Sequence, residues 1–397
     1  MIRLMPVKEE WLLNKKYMIN LLRQFIKPKY ETLNRIEIDA KNLVDNFYYL
    51  KSLQPEAEIL PVLKANAYGH GLKEICLILN KTAASMVVVD SYPEAQIAYR
   101  YFKGKILILG EMPLKAYNYT KLKKTEFVVY NEITLKYLAR FKKKAAVHLF
   151  INSGMNREGI KDLESFIINN KKYLDKVEVT GLCSHLASAD NLSVMNTVQE
   201  DNFMNALDIL RAAGYFPRWI HLGNSAAVFR SENKFLTAFR PGLALYGYSP
   251  FADEEVTAAS KLKPALEVFS QIVSIQKLGA NESVSYNETY RSATENKIAV
   301  VPFGYFEGLD RRLSNRAQFL VYGRDKFFAH IAGRVCMNLT CLEVGNNDVK
   351  IGDEVKLVSK QKDDPNSVVN LSLLMDTIPY EFLVKFQTNI RKNIINL

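Results

Sequence analysis

The feature that most constrains the fold is a repeated alternation of short β-rich runs and helical stretches between residues 35 and 255. Segments with apolar residues at helical spacing, such as Leu72–Leu79 and Thr197–Ala213, separate most of the β-rich runs. Repeated βα units in this number favour an α/β fold built as a parallel (β/α)8 TIM-like barrel over a doubly wound sheet. The predicted strands of this region are Arg35–Ile38, Ile59–Leu63, Met86–Val89, Ile106–Leu109, Phe127–Val129, Val147–Phe150, Val177–Thr180 and Trp219–Leu222.

After about residue 255 the pattern changes to strands joined by short turns. Turns such as Ile351–Asp353 are typical of antiparallel connections, and no long helix is predicted before Asn370. We therefore predict three segments: an N-terminal extension at 1–33, a barrel at 34–255 and a C-terminal, mostly antiparallel β domain at 256–397. The predicted strands of the β domain are Ala265–Ile275, Ile298–Val301, Phe319–Tyr322, Phe327–Ile331, Cys341–Val344 and Glu354–Val358.

The composition suits a multidomain globular chain. Its 397 residues are 48% apolar, which is enough to bury the cores of two or three domains. Residues 1–33 carry apolar and basic residues at helical spacing, but Glu9 and Glu10 interrupt them and no small-residue cleavage site follows. We predict a short helical extension of unassigned role rather than a signal peptide. No run of about 18 uncharged apolar residues is present, so no membrane-spanning segment is expected.

The net charge of +11 would suit a nucleic-acid or anionic partner, yet the sequence does not support one. The lysine runs at 121–124 and 142–144 lack interleaved aromatic residues, which favours solvated faces. No zinc-finger, helix-turn-helix or RNP signature is present. The four cysteines show no metal-ligand spacing and are typical of reduced thiols. We expect a cytoplasmic protein with no metal site and no nucleic-acid or membrane partner.

The most informative motif is Lys-Ala-Asn-Ala-Tyr-Gly-His-Gly at residues 64–71, directly after a predicted buried strand. The carboxyl ends of the strands are where barrel active sites lie. There, apolar surroundings would lower the pKa of Lys64 and leave a free amine able to form a Schiff base with an aldehyde. A lone lysine at a strand end would more simply extend to solvent, but Tyr68 and His70 in the same turn favour a functional site.

Two further motifs can contribute to the same site. His221–Ala227 places Asn224 and Ser225 at a predicted strand-to-helix junction. Backbone N–H groups and a hydroxyl can bind a phosphate there, or Ser225 can cap the helix. Arg240–Gly247 follows, and Arg240 considered alone is also compatible with a surface ion pair. The residue patterns by themselves leave these alternatives open.

Taken in order, the motifs closely resemble those of alanine racemases, over nearly the whole chain from Arg35 to about Glu381. The resemblance implies a β/α barrel followed by a β domain, with pyridoxal 5'-phosphate as the cofactor. It implies that Lys64 carries the cofactor and acts as a base on one face of the substrate. The residues that the resemblance places at the cofactor are Lys64, Tyr68, His185, Asn224, Ser225, Arg240, Gly242 and Leu243.

Arg240 matches the family arginine that faces the pyridine nitrogen of the cofactor. A permanently charged guanidinium disfavours protonation of that nitrogen, so the cofactor is a weaker electron sink and transamination is suppressed. A decarboxylase with the same fold is disfavoured, because such enzymes generally have an acidic residue at this position. A cofactor-binding barrel without enzymatic activity is disfavoured too, because such barrels lack the predicted β domain.

Racemisation also needs an acid and base on the opposite face of the substrate. The motif Val284–Tyr290 matches the one that carries this residue in the family. The resemblance therefore implies that Tyr286 has this role and comes from the partner subunit, so a homodimer with shared active sites is expected. A phenol with a pKa of about 10 needs help to act as a base, which His185 and Arg240 could provide. The resemblance places three further residues at the amino-acid substrate: Arg157, Tyr305 and Met337.

From the resemblance we predict a racemase that interconverts L-alanine and D-alanine by a two-base mechanism and supplies D-alanine for peptidoglycan. The alternative is a broader amino-acid racemase that acts on serine or lysine. Four departures from the family pattern leave the rate and the substrate breadth open. One of them, Phe150, deprives Arg157 of its usual anchor. They are Phe150 in place of a lysine that is often carbamylated, Asn287 in place of glycine, Asn338 in place of aspartate and Thr388 in place of a gate-lining tyrosine.

Overall fold

The computed structural model describes residues 32–251 and 256–397, and residues 34–397 form one compact unit. The predicted helical extension at 1–33 lies outside the described residues, apart from Thr32 and Leu33. Within the described part of the chain, no helix has the length and apolar character needed to cross a bilayer.

The described residues contain both long helices and many short strands. The strands are β1 Arg35–Asp39, β2 Glu58–Ile59, β3 Met86–Val89, β4 Lys105–Ile108, β5 Thr125–Val129, β6 Ala146–Phe150, β7 Glu178–Cys183, β8 Trp219–His221, β9 Ala238–Phe239, β10 Leu266–Gln271, β11 Ser274–Leu278, β12 Ser283–Val284, β13 Tyr290–Arg291, β14 Asn296–Val301, β15 Gln318–Tyr322, β16 Lys326–Ile331, β17 Thr340–Glu343, β18 Glu354–Val358 and β19 Arg391–Ile395. The helices are α1 Ala40–Leu53, α2 Lys64–Tyr68, α3 Leu72–Leu79, α4 Tyr92–Tyr101, α5 Glu132–Leu138, α6 Leu163–Leu174, α7 Val194–Ala212, α8 Ser225–Arg230, α9 Val368–Leu374 and α10 Pro379–Leu383.

The parallel strands β2 to β9 close into a barrel. Strands β3 to β8 pair in chain order as a six-stranded parallel sheet, and β2 pairs in parallel with β9. A bridge between Val62 and Val88 joins the end of β2 to β3. A backbone hydrogen bond of 2.9 Å from Thr237 to Ile220 joins β9 to β8. The predicted parallel barrel is confirmed.

Burial patterns explain why these segments fold as they do. Every residue of β3 is buried, as expected for a parallel strand covered on both faces. Helix α1 instead buries one stripe, which includes Leu43, Phe47 and Leu50 at spacings of four and three residues. Asp39 caps this helix, because its side chain accepts a hydrogen bond of 3.1 Å from the backbone of Asn42. Helix α1 therefore packs through a narrow apolar face.

The C-terminal part of the chain forms a nine-stranded, mostly antiparallel sheet. The strand order is β11-β14-β17-β16-β15-β18-β10-β1-β19, and β1 and β19 form its parallel pair. This arrangement confirms the predicted β domain after the barrel. The helices α9 and α10 lie between β18 and β19 in the chain.

Strand β1 is where the structure differs from the sequence-based expectation. We expected Arg35–Ile38 among the barrel strands, but it pairs with β10 and β19 in the large sheet. Its alternating burial is typical of a sheet with one covered face, whereas the barrel strands β3, β5 and β8 are buried at every residue. The short strand Ala238–Phe239 takes the remaining place in the barrel, and two residues are too few for a periodic pattern to reveal. Both ends of the described chain therefore contribute to the large sheet.

Gly247 is tightly packed at the end of the barrel region, and Gly352 of the β domain has a similar φ but no close neighbour, so the two glycines separate packing from backbone strain. Gly247 has a φ of 96°, and a Cβ built on it would lie 1.9 Å from the carbonyl oxygen of Lys263. Gly352 has a φ of 94°, and a Cβ there would meet nothing within 4 Å. We predict that Gly352→Ala lowers the free energy of unfolding by about 1–2 kcal/mol, from backbone strain alone. Gly247→Ala should lose clearly more, because the steric clash adds to the same strain. Denaturant unfolding of both variants checks this, and equal losses would contradict it.

Candidate active site

A cavity of about 830 Å³ opens at the carboxyl ends of the barrel strands. Its lining includes a residue at or just after the end of every barrel strand, for example Asp90 after β3 and Tyr130 after β5. The volume lies in the usual range of small-molecule sites, about 300–1000 Å³. Leu243 is buried directly after the lining residue Gly242. The predicted site residues that line the cavity are Lys64, Tyr68, Arg157, His185, Asn224, Ser225, Arg240 and Gly242.

Lys64 begins a left-handed turn at the rim of this cavity. The four residues Ala65–Tyr68 all have a φ between 52° and 54°, a conformation that costs about 1–2 kcal/mol for each residue with a side chain. The side-chain oxygen of Asn66 holds the turn by accepting a hydrogen bond of 2.9 Å from the backbone of Leu72. Strain of this kind persists where the surroundings impose it, and it is common at functional sites. The Lys64 side chain is exposed, so the apolar enclosure expected from the sequence is not found within the described residues of this chain.

Two hydroxyl groups and a glycine backbone form one end of the cavity. The Ser225 hydroxyl oxygen accepts hydrogen bonds from the backbones of Gly242 at 3.0 Å and Ala244 at 3.2 Å. Its own proton therefore remains to be donated to another acceptor. A Cβ at Gly242 would lie 2.3 Å from the Tyr68 hydroxyl oxygen, so the absence of a side chain makes room for this phenol. The arrangement suits a ligand group with several acceptor oxygens, such as a phosphate.

Asn224, rather than Ser225, caps helix α8. The side-chain oxygen of Asn224 accepts hydrogen bonds from the backbones of Ala226 at 3.0 Å and Ala227 at 3.2 Å. The cap considered for Ser225 in the sequence is therefore wrong. Because Asn224 satisfies these first N–H groups of the helix, the Ser225 hydroxyl is left to face the cavity.

The phenols at this end are hydrogen-bond donors at neutral pH. Burial raises the pKa of Tyr68, and the neighbouring Tyr380 raises it further. Burial also raises the pKa of Tyr380 to about 12. The rings of the two tyrosines lie 6.0 Å apart. Tyr380 is not among the site residues predicted from the sequence, because nothing in its local pattern indicates that α10 returns to the cavity.

Arg240 is buried at the base of the cavity, with 5% of its surface exposed. Its Nη1 donates hydrogen bonds to the ring Nδ1 of His221 and, at 2.7 Å, to the backbone oxygen of the same residue. Its Nη2 donates to the backbone oxygen of Ser184 at 2.5 Å. Among the described residues its Nε donates to no protein acceptor. The surface ion pair considered for Arg240 is therefore wrong, and its Nε is the donor that remains.

His185 lies beside this arginine, with its Nδ1 3.5 Å from Arg240 Nη2. Burial lowers the pKa of His185 to about 3, and the positive charges of Arg240, Arg157 and Lys64 contribute to the shift. The imidazole is therefore neutral at physiological pH. It can accept or donate a hydrogen bond in the cavity without adding a further positive charge.

Glu158 supplies the anchor that Arg157 needs in place of a carbamate. Both Nε and Nη2 of Arg157 bind the same carboxylate oxygen of Glu158, at 3.0 and 2.6 Å. Phe150 instead packs on Tyr130, with ring centroids 4.8 Å apart. The pair is solvent-exposed, so it orients Arg157 more than it stabilises the fold. Glu158 is not among the residues predicted from the sequence, although its carboxylate directly follows Arg157 and is the signal that could have revealed it.

The other predicted substrate residues lie in a second cleft, of about 800 Å³. Tyr286, Tyr305 and Met337 all line it, and Tyr286 is 66% exposed. Within one chain, Tyr286 therefore does not share the cavity of Lys64, and the expected help from His185 and Arg240 is not available to it. The site residues of the β domain and those of the barrel face two separate openings.

Two of the departures from the family pattern have local explanations in this cleft. Asn287 has a φ of 60°, and asparagine tolerates this conformation better than most residues with a side chain. The Asn338 side-chain amide donates a hydrogen bond of 2.8 Å to a carboxylate oxygen of Glu307, where an aspartate would be repelled. Thr388 is exposed and directly follows Gln387, which lines the cleft.

Comparisons with known proteins agree with this geometry. The family "Alanine racemase, N-terminal domain" matches residues 38–250, and "Alanine racemase, C-terminal domain" matches residues 265–394. An alanine racemase from Clostridium perfringens is 34% identical to this chain over 359 residues, which are 87% of this chain and 91% of that protein.

Solved structures show the same fold. Alanine racemase from Clostridium difficile 630 superposes with a TM-score of 0.85 at 28% identity, covering 93% of this chain and 98% of that one. Alanine racemase from Bartonella henselae, solved with covalently bound pyridoxal phosphate, has a TM-score of 0.80 at 23% identity and covers 92% of this chain and all of that one. The Clostridium difficile enzyme is therefore similar to this chain in both sequence and fold, whereas the Bartonella henselae enzyme shows a similarity of fold alone.

The buried imidazole of His70 generates a prediction about pH. Its ring stacks on Tyr246 with centroids 4.3 Å apart, and its Nδ1 lies 2.8 Å from the backbone oxygen of Tyr68. Burial lowers the pKa of His70 to about 4, whereas an unfolded histidine takes up its proton near pH 6.5. The contribution of neutral His70 to stability is therefore complete above about pH 6.5 and is lost as the pH falls towards 4.

We predict that the free energy of unfolding falls between pH 7 and pH 5, by about 2 kcal/mol from His70 alone. His70→Phe should be less stable at pH 7 but should show a shallower dependence on pH. Denaturant unfolding at several pH values measures both effects. His330→Gln, at an exposed histidine, is the matched control and should keep the slope of the parent. An unchanged slope in His70→Phe would contradict the assignment.

Proposed function

Since this chain belongs to the alanine racemase family, we propose that it interconverts L-alanine and D-alanine with pyridoxal 5'-phosphate bound in the barrel cavity. The observation that carries the proposal is that one cavity contains the Lys64 amine, the hydroxyls of Tyr68 and Ser225, and the Arg240 guanidinium. These groups correspond to the three polar parts of the cofactor: its aldehyde, its phosphate and its ring nitrogen.

The donors in the cavity fit this cofactor. Tyr68 keeps its proton at neutral pH, and Ser225 accepts two backbone hydrogen bonds that leave its own proton to be donated. Any side chain at position 242 would occupy the space of the Tyr68 hydroxyl. At the other end, the hydrogen bonds that Arg240 makes to the described residues come from Nη1 and Nη2, so its Nε is available to a ring nitrogen.

When bound, pyridoxal phosphate supplies an aldehyde that condenses with amines and a conjugated ring that stabilises negative charge at the substrate Cα. We assign Lys64 to hold the cofactor and to remove or return the Cα proton on one face. Arg240 keeps a fixed positive charge at the ring nitrogen, which disfavours protonation there and so limits misplaced protonation of the substrate. Arg157, oriented by Glu158, would bind the substrate carboxylate.

Tyr286 is proposed as the acid and base on the opposite face, contributed by a second copy of the chain. The support for a homodimer is that Tyr286, Tyr305 and Met337 line one opening while Lys64 lies in another. A two-fold dimer can bring each barrel cavity against the second cleft of its partner, which would complete two equivalent sites. Tyr286 is largely exposed in the single chain, as such an arrangement requires.

The product has a further consequence that rests on the family resemblance. We propose that D-alanine made by this enzyme supplies peptidoglycan synthesis, and that the protein works in the cytoplasm. All four cysteines lie in the described residues without a disulfide, which is compatible with a reducing compartment.

We predict that Lys64→Ala abolishes racemisation in both directions, with a loss of about a thousandfold or more, because cofactor attachment and one proton transfer are removed together. The parent should absorb at the edge of the visible range, and borohydride should remove this band and label a peptide that contains Lys64. The measurements are kcat and KM with alanine, serine and lysine, together with absorbance spectra.

Lys73→Ala is the matched control, because Lys73 is an exposed lysine on the neighbouring helix α3. It should keep both the absorbance and the activity. Interconversion of the enantiomers by purified Lys64→Ala would refute the role of Lys64. A larger kcat/KM for serine or lysine than for alanine would replace the alanine assignment with the broader racemase.

We predict that two inactive chains restore activity when they exchange subunits. A 1:1 mixture of Lys64→Ala and Tyr286→Phe should recover about a quarter of the parent activity, because half of the dimers are mixed and each mixed dimer has one intact site. The matched control is a 1:1 mixture of the parent with the double variant. Sites shared between subunits should leave about a quarter of the activity there, whereas sites within one chain would leave about half. No recovery in the first mixture after verified exchange would contradict the shared site.

A further inference from the structure

A buried chain of hydrogen-bonded side chains runs from Arg240 into the core of the barrel. Arg240 Nη1 binds His221 Nδ1, and His221 Nε2 lies 2.7 Å from His148 Nδ1. His148 Nε2 in turn lies 2.9 Å from a carboxylate oxygen of Glu126. Both histidines are 0% exposed, and Glu126 and Arg240 are 5% exposed. Neither Glu126 nor His148 has a role in the function proposed above.

The chemistry of the two ends fixes the direction of every hydrogen bond in this chain. A guanidinium can only donate, so His221 must accept at Nδ1 and carry its proton on Nε2. That proton is donated to His148 Nδ1, so His148 must carry its own proton on Nε2. An ionised carboxylate can only accept, and Glu126 is the acceptor of this last proton. Both imidazoles are thereby held in a single tautomer.

The charges support the same assignment. Burial lowers the pKa of His148 and of His221, so both rings are neutral. Burial by itself would raise the pKa of Glu126, but hydrogen bonds from His148 and Thr180 and the charge of Lys105 hold the pKa below its usual value. The Thr180 hydroxyl lies 2.8 Å from Glu126, and the ammonium of Lys105 lies 3.6 Å from it and is half-exposed.

Among the described residues, no acidic side chain pairs directly with Arg240. Within residues 32–251 and 256–397, no carboxylate oxygen lies within 4.0 Å of its guanidinium nitrogens. A buried charge without compensation is costly, so an anion linked to Arg240 through two neutral imidazoles is a meaningful counter-charge.

A glycine makes room for the link. Gly181 pairs with His148 across strands β6 and β7, and a Cβ at Gly181 would lie 2.3 Å from the imidazole Cγ. Any side chain at this position would therefore displace His148 from the line between Glu126 and His221. The absence of a side chain at Gly181 in strand β7 therefore leaves the space that the imidazole of His148 occupies.

We propose that Glu126 is a positioning residue for Arg240, acting through His148 and His221. By fixing both tautomers it keeps Nη1 of Arg240 bound to His221, and this leaves Nε directed at the place where the proposed function puts the ring nitrogen of the cofactor. The inference rests on the proposed function for its catalytic consequence, whereas the hydrogen-bonded chain itself is a property of the protein without cofactor.

The first test needs no cofactor and no activity. In protein labelled with 15N in histidine, the ring nitrogens of His148 and His221 report their tautomers directly, with assignments from single histidine substitutions. We expect both rings as neutral Nε2–H tautomers in the parent. Glu126→Leu leaves the buried Nε2 proton of His148 without its carboxylate acceptor. Both rings can then take the opposite tautomer only if His221 releases Arg240, and we expect mixed tautomers at both rings together with this displacement. Glu126→Gln offers a carbonyl oxygen as acceptor and should restore the parent pattern in part.

The second test uses the enzyme with its cofactor. If Arg240 is displaced, kcat should fall by about ten- to a hundredfold with KM little changed, the usual range for loss of a supporting partner. Transamination, measured as pyridoxamine phosphate formed per turnover, should rise by at least about tenfold, because protonation of the ring nitrogen is no longer suppressed. The absorbance of the bound cofactor should also become dependent on pH.

Matched variants separate this role from a general loss of a buried carboxylate. Glu267 is a carboxylate in strand β10 that is 6% exposed and pairs with Lys356, so Glu267→Leu should leave tautomers and transamination unchanged. Gly181→Ala displaces His148 without altering any charge, and it should reproduce the effect of Glu126→Leu. If Glu126→Leu does not fold, Gly181→Ala carries the test, and Glu126→Gln is the variant expected to keep the parent pattern in part.

The outcomes distinguish the inference from the proposed function. Unchanged tautomers in Glu126→Leu and Gly181→Ala would overturn the hydrogen-bonded chain. Altered tautomers with unchanged kcat and transamination would overturn the positioning role. A parent protein that binds no cofactor and racemises no amino acid would refute the proposed function. The tautomers of His148 and His221 would still test the hydrogen-bonded chain from Arg240 to Glu126.

Discussion

The burial of one guanidinium organises much of the candidate site. Arg240 lies where the strands β7, β8 and β9 end, and it is 5% exposed. Because a buried cation must find acceptors, the backbone oxygens of Ser184 and His221 at the ends of two neighbouring strands both turn towards it. His221 in turn needs a partner for its second nitrogen, and this requirement extends through His148 to Glu126. A single charge thus links the floor of the cavity to the interior of the barrel.

A second constraint acts at the opposite end of the cavity, and it is the strained backbone that follows Lys64. Four left-handed residues follow Lys64, and the glycine that ends the turn is in close contact with helix α10. A Cβ at Gly69 would lie 2.0 Å from the backbone oxygen of Leu383. The same helix brings Tyr380 to the cavity. The C-terminal region therefore supports the conformation that presents Lys64, and strand β1 ties the beginning of the barrel region to the same large sheet.

The departures from the family pattern are accommodated by local exchanges of partners. Phe150 packs on Tyr130, and Glu158 takes over the orientation of Arg157. Asn338 pairs with Glu307 through a neutral amide. The polar groups that remain bind carboxylate acceptors: Arg157 binds the next residue in the sequence, whereas Asn338 binds a residue of another loop. These changes of partner keep the donors of the candidate site in place while the residues around them differ from the family pattern. A comparison of the sequence with that pattern, one position at a time, does not reveal such changes.

Periodic burial and contiguous motifs are local properties of the chain, so they were enough to predict the barrel and the β domain and to mark the motifs around Lys64, Ser225 and Arg240. The same patterns misplaced strand β1, and they did not reveal Tyr380 or Glu126, because the roles of these residues depend on partners that lie far away in the chain. Three features become visible only in the folded protein: Asn224 caps its helix, Arg240 is buried, and Tyr286 faces a different opening from Lys64. Burial and hydrogen-bond partners depend on which strands and turns are adjacent in the fold, and the spacing of residues along the sequence does not determine which ones are.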